Sequence, residues 1–234
     1  GSSLCRELNG ICTGRVLRSC SGGIAACARL AEEFLFAGQF EPYSPRHEKE
    51  YTMNLIVCMI VTDGFEEIEA VGTYAILRRG GLTVDVYALN GAQATGRFGL
   101  TCAQLKPFDT LDAAQYAALI LPGGPQYKAL EAHAGVQQLI KTFMQADKYV
   151  CAICAGPTLL GHAGYLKGRN YTCFTAMDED FGGHYQPDYA VQDGRIITGK
   201  SAAAVIEFAF LILQAVAGKE TADKTKKDIY YQPR

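Results

Sequence analysis

No stretch of this 234-residue chain runs 18 residues without a polar or glycine break, so a transmembrane helix is not expected. Charge of one sign is also lacking. A formal net charge of −2, with no long basic run, gives no electrostatic case for nucleic acid or an anionic membrane. A basic n-region leading into an apolar h-region is missing, and the nine cysteines, an odd number, lack the spacing of a disulfide framework. A reducing compartment such as the cytoplasm is therefore expected. What is present, 49% hydrophobic and 20% charged residues, suffices for one full core in one main domain. The partners expected of it are small molecules or another protein.

Composition shifts once, around "EPYSPRHEKEYTMNLIVCMIV". Residues 1–52 read as an extension of little fixed structure, with "EPYSPRHEKE" as a linker of two prolines and five charges. Gly1-Ser2-Ser3, without Met, is compatible with a cloning remnant. Over residues 5–30, Arg6, Arg15, Arg18 and Arg29 against the single acid Glu7 are compatible with an organellar transit segment, which would move the protein from cytoplasm to organelle. Cys5, Cys12, Cys20 and Cys27 match no zinc pattern, and Gly10, Gly14, Gly22 and Gly23 argue against one helix carrying them.

From residue 53 strand and helix patterns alternate. "NLIVCMIV" reads as a buried strand, "FEEIEAVGTYAILRR" as a helix stopped by Gly80-Gly81, and "LTVDVYAL" as the next strand. "GRFGLTCAQLKPF" predicts a short exposed pair of β segments, and "YAALILPGG" a strand ending on Pro-Gly-Gly. Residues 126–146 predict a helix broken near Gly135. "NYTCF", "DYAVQD" and "RIITGK" follow as strands, then "SAAAVIEFAFLILQAVAG" as a long helix capped by Gly218. Residues 53–218 thus predict a doubly wound α/β domain with a mostly parallel sheet, and 219–234 a polar C-terminal tail.

Ligands of such folds lie at the carboxyl ends of the strands, where three candidate elements fall. The first is Cys154, where strand 148–153 turns into a helix expected near Ala155. Helix N–H groups there favour thiolate by about 0.3–1 kcal/mol, and strand–Cys–small–Gly is a sharp turn that presents a nucleophile. A buried, inert cysteine is the alternative. The second is Glu69. With Phe65, Ile68, Gly72, Ala75 and Ile76 as the apolar face, Glu69 is turned toward the core, whereas Glu66 and Glu67 simply complement the helix dipole. A desolvated carboxyl keeps its proton to higher pH and can relay it to a thiolate. The third is Pro122-Gly123-Gly124, whose N–H groups, with that of Ala155, could form an oxyanion site; alone it is a tight turn.

Taken together, "DGFEEIEAV", "LPGG", "AICAGPTLLGHAG", "GGHY" and "IEFAF" resemble the ThiJ/PfpI superfamily, and most of all its protein deglycase branch, over residues 53 to about 218. The resemblance implies a flavodoxin-like three-layer sandwich with a nucleophile elbow, usually dimeric. It also implies Cys154 as nucleophile and redox-sensitive thiol, Glu69 as its carboxyl partner, and Gly124 with Ala155 as backbone donors. Two positions depart from the pattern: Phe174 stands where relatives often place a His, and Phe98, beside Arg97, where the hairpin often carries a basic residue. Both are candidate pocket residues. His162 and His184 match family positions without known chemistry; like His133, they read as structural or surface histidines.

Cys151 and Cys154 form a C-x-x-C, but on an extended strand their Cα atoms lie about 10 Å apart, beyond disulfide reach. Cys151, Cys58 and Cys173 read as core, Cys102 as semi-exposed. Glutamine amidotransferases share the elbow but need a late His-x-Glu pair, which "HYQ" at 184–186 denies. A peptidase lacks a visible base. The function expected is a glyoxalase or deglycase acting on reactive dicarbonyls or their early adducts, protecting against oxidative stress and needing neither metal nor cofactor. A non-catalytic redox sensor or chaperone-like dimer, using oxidation of Cys154, is the alternative.

Overall fold

The computed structural model describes residues 55–232. The extension expected over residues 1–52, with its arginines, cysteines and linker, lies outside the described residues. Seven strands form one sheet in the order β10-β11-β7-β6-β1-β2-β5. They are β1 (Ile56–Val61), β2 (Thr83–Ala88), β5 (Lys106–Pro107), β6 (Ala118–Leu121), β7 (Tyr149–Ile153), β10 (Ala190–Asp193) and β11 (Ile196–Gly199). Every pairing is parallel except the antiparallel β10–β11 edge. Two small pairs lie apart: β3 (Gln93–Thr95) with β4 (Thr101–Ala103), and β8 (Asn170–Tyr171) with β9 (His184–Tyr185).

Strands buried on both faces need continuous apolar sequence, which is what "IVCMIV" and "ALIL" supply. Their pleat divides the side chains between two cores. Val57, Met59, Val61, Ile120, Cys151 and Ile153 face α1 (Thr73–Arg79) and α5 (Val205–Ala217). Cys58, Ile60, Leu119, Leu121, Val150 and Ala152 face the opposite layer, made by α2 (Tyr127–Ala132), α3 (Ala134–Gln145) and α4 (Pro157–His162). In α3 the buried Val136, Leu139, Ile140 and Phe143 repeat at helical spacing. Helices cover both faces, so the fold is the expected flavodoxin-like three-layer sandwich.

Three expectations are corrected. The polar tail expected after Gly218 is a helix, α6 (Lys219–Asp228), that packs on the domain: Ala222 and Thr225 are buried, and the Phe210 ring of α5 lies tilted against Tyr231 at 5.1 Å between centroids. Because α6 covers it, α5 is apolar beyond a single stripe. The segment "NYTCF" supplies only the two-residue β8, with Cys173 buried beyond it. The first helix opens with a π turn, Ile68–Gly72, which shifts the phase of its faces. Ile68, assigned to the apolar face, is 59% exposed, and Ala75 is exposed too; Phe65, Glu69, Ala70, Thr73, Ile76 and Leu77 are buried instead. Among the described residues no helix is long and apolar enough to cross a membrane.

Candidate active site

The chain leaves β1 toward β2 on one side and later places β6 on the other, so strand order reverses between β1 and β6. The candidate residues follow β1, β6 and β7 at their carboxyl ends. Cys154 directly follows β7, its N–H donating to Gly199 O at 2.8 Å, and it sits in the left-handed region with φ 63°. For a residue with a Cβ that conformation costs about 1–3 kcal/mol, here sustained by the packing around the elbow. Pro157 opens α4, two residues later than expected, and the helix is only six residues long.

Glu69 lies in the π turn, 1% exposed. Its Oε2 accepts the Gly123 N–H at 2.8 Å, Oε1 is buried, and the carboxyl and the Cys154 thiol are interacting neighbours. Gly123 fits between them because a Cβ there would come 2.6 Å from Glu69 Oε2 and 2.8 Å from the Cys154 Cβ. Gly124, at φ 86°, leaves no room for one either: a Cβ would meet Gly64 O at 2.5 Å and Glu66 N at 2.6 Å. The N–H groups of Ala155 and Gly124 face the sulfur. Gly123, expected as a third such donor, instead spends its N–H on Glu69.

Burial pushes the Glu69 carboxyl up to about 7; the thiol contact, the Gly123 N–H and Arg97 pull it down, and Glu66 adds to the rise. The Cys154 thiol is held well above its ordinary value by burial first, then by the charge and hydrogen bonding of Glu69, against the pull of the Ala155 and Gly124 N–H groups. A thiol lowered by a helix dipole is thus corrected: α4 is short and starts beyond the sulfur, and an ionised neighbour opposes a second negative charge. Glu69 and Cys154 are thus a coupled pair in which both protons are held more tightly than in the free groups, the carboxyl's less so than the thiol's.

Phe174 is brought to the site, its N–H donating to Cys154 O at 2.9 Å, with the side chain 44% exposed. Phe98 is not. It is 75% exposed on the β3–β4 loop, with Arg97 over its ring at 4.8 Å, and its N–H donates to Glu67 Oε1 at 2.6 Å. Glu67 therefore ties down the hairpin, while Glu66, expected only to complement a dipole, is buried and accepts the Glu69 N–H at 2.8 Å.

Sequence reasoning missed Gln126. Fully buried, it accepts the Thr62 N–H and donates to Pro122 O, both at 2.8 Å, stitching the end of β1 to the end of β6. Its only signal was a polar residue between a Gly-Gly-Pro turn and a helix. His133 packs edge-on against Phe108, His184 is exposed in β9, and His162 lies between Glu131 and Glu179. A cavity of about 460 Å³ lies elsewhere, between α1, β2 and the hairpin, lined by Val71, Tyr74, Val86, Cys102 and Lys106 among others; Cys154 and Glu69 are not in its wall. Among the described residues no three His, Cys, Asp or Glu side chains gather as metal ligands would.

A parallel α/β sandwich presenting a cysteine on a strand-to-helix elbow, against a buried carboxyl and backbone N–H groups, defines a class of nucleophile-elbow proteins. The sequence matches the DJ-1/PfpI family over residues 56–215, and the chain belongs to that family, in its deglycase branch. It is 31% identical over 174 residues to the Glutathione-independent glyoxalase DJR-1.2 of Caenorhabditis elegans, covering 70% of this chain and 89% of that one. It is 31% identical over 124 residues to Deglycase TK1284 of Thermococcus kodakarensis, covering 53% and 75%. The crystal structure of Drosophila melanogaster DJ-1beta superposes with a TM-score of 0.73 at 26% identity, covering 77% of this chain and all of that one (100%).

Proposed function

We propose that the protein is a cysteine-dependent glyoxalase or deglycase that needs no cofactor and acts on small dicarbonyls or their early protein adducts. The observation that carries this reading is the Cys154 sulfur set between the Glu69 carboxyl and the N–H groups of Gly124 and Ala155. The relatives named glyoxalase and deglycase support it.

In this reading Glu69 takes the thiol proton as Cys154 sulfur bonds to the aldehyde carbon, and passes it to the carbonyl oxygen to give a hemithioacetal. The Glu69 carboxylate then removes the hydrogen from that carbon, the hydroxyl proton passes to the neighbouring oxygen through the enediol, and Glu69 returns the hydrogen to the adjacent carbon, leaving a 2-hydroxy thioester. Water cleaves the thioester, releasing a hydroxy acid and restoring the thiol. Gly124 and Ala155 N–H groups hold the negative oxygen of the first and last steps, Gly123 holds Glu69, and Phe174 shapes the mouth. Phe98 reaches the substrate only if the hairpin moves or a second copy presents it. The apolar Ile68, Val71, Tyr74 and Ile206, left exposed on the outer helices, support a homodimer, with a light-scattering mass of two chains expected at micromolar concentration.

The test is incubation with methylglyoxal, without glutathione, and quantification of lactate. Turnover is expected in the unaltered protein and absent in Cys154→Ser. The Phe in place of a His favours a second reading, a redox sensor against oxidative stress in which Cys154 sulfinate is held by Glu69 and the same N–H groups. Intact aldehyde beside readily formed Cys154 sulfinate would select it.

A further inference from the structure

One imidazole outside the thiol site joins the continuations of two site elements to the segment that follows Phe174. His162 ends α4, the helix that follows Cys154. Its Nδ1 pairs with Glu131 Oε1 on α2, the helix that follows the Gly123-Gly124 turn. Its Nε2 pairs with Glu179 Oε2 at 3.0 Å, in the segment that follows Phe174. That segment, residues 175–183, has one 3₁₀ turn at Thr175–Met177 and no strand, so few backbone ties hold it down. Phe181 lies against the His162 ring at 5.5 Å between centroids. The neighbouring carboxylates are turned elsewhere: Asp178 to the Tyr171 hydroxyl at 2.7 Å and Asp180 to the Gly182 N–H at 3.0 Å. From the elements packed on it, the charged groups facing His162 are Glu131 and Glu179.

We propose that His162 is a positioning residue: its doubly protonated ring clamps the 175–183 segment, and Phe174 at its root, against the Cys154 elbow, and loss of one ring proton opens the clamp. A neutral imidazole has a single N–H and can donate to one carboxylate only; the other then faces a lone pair. Glu179, the more exposed arm at 58% against 32% for Glu131, is the one released. Both carboxylates raise the imidazole above its ordinary 6.5, Glu179 first, against a smaller effect of burial. The folded value exceeds the unfolded one, so the clamp is complete below about 6.5 and is lost as pH rises through the folded value.

The proposal uses the Cys154 site of the proposed function, but its readouts need no turnover, so a failed glyoxalase assay and a failed clamp are separate results. Amide hydrogen exchange of the full chain, corrected for the intrinsic pH effect, would be followed from pH 6 to 9. Protection of residues 175–183 is expected to fall about tenfold as His162 deprotonates, while α3 is unchanged. In Glu179→Gln the segment should exchange fast at every pH, and Glu179→Asp should restore part of the pH dependence. Iodoacetamide alkylation of Cys154 should be about tenfold faster in Glu179→Gln than in the unaltered protein at pH 6, the two converging by pH 9. Equal protection at pH 6 and 9 in the unaltered protein, or an alkylation ratio that does not change with pH, overturns the clamp.

Discussion

Glu69 carries a cost that the fold keeps. Its folded value of about 7 lies above the ordinary 4.5, so the native state binds this proton more tightly than the unfolded chain. The stability it contributes is therefore present below about pH 4.5 and is lost as pH rises through about 7, up to roughly 3 kcal/mol for such a shift. Glu69→Gln keeps an acceptor for the Gly123 N–H without the charge. In urea unfolding it should match the unaltered protein near pH 4.5 and exceed it by about 1–3 kcal/mol at pH 8; no gain at pH 8 would contradict the burial argument. The same change removes the carboxylate that opposes thiolate, so the pH midpoint of Cys154 alkylation should move down. Turnover should nevertheless fall by about a hundredfold or more, because the proton carrier is gone. A midpoint that stays or rises would sever the electrostatic link between the two residues.

At the scale of elements, the devices that aim the site are short. The π turn puts Glu69 on the buried stripe itself, and Asp63 and Glu67 fasten the β3–β4 hairpin by accepting the Thr95 and Phe98 N–H groups. The longest apolar helix, α5, depends on its neighbour. The α6 helix lays Ala222 on it, and the residues beyond add the Tyr231 ring against Phe210 and a Tyr231 hydroxyl bond to Glu207 at 3.2 Å. A chain ending at Gly218 would expose that surface. We expect it to lose at least about 2 kcal/mol, seen as a lower denaturant midpoint, since two or more partly apolar groups return to water. An unchanged midpoint would show that α6 rests on the domain without supporting it.

At the scale of the molecule, the sheet begins at Ile56, and the family match runs over residues 56–215. We propose that residues 1–52 are dispensable for this domain. A chain of residues 53–234 is expected to unfold in one cooperative transition and to keep the alkylation chemistry of Cys154. A broad, non-cooperative transition would mean that the extension contributes structure.

The sequence by itself determined the layer plan, because strands buried on both faces must be apolar throughout and those between helices must be parallel. It also marked Cys154, Glu69, Gly124 and Ala155, because an elbow thiol, an acid turned inward and glycines at strand ends are local signals. Tertiary structure decided the rest. Gly123 serves Glu69 rather than the pocket, since where an N–H points depends on what packs 54 residues away. A one-residue phase shift is invisible in a period of 3.6, so the pattern puts Ile68 on the buried face and gives Glu66 only the helix dipole to complement. Phe98 is turned to solvent with its N–H tied to Glu67, a placement that only the hairpin's fold fixes, and the polar run after Gly218 hid a helix whose few buried residues matter only against α5. The proton held between Cys154 and Glu69 follows from burial and mutual distance, quantities that exist only once the chain has folded.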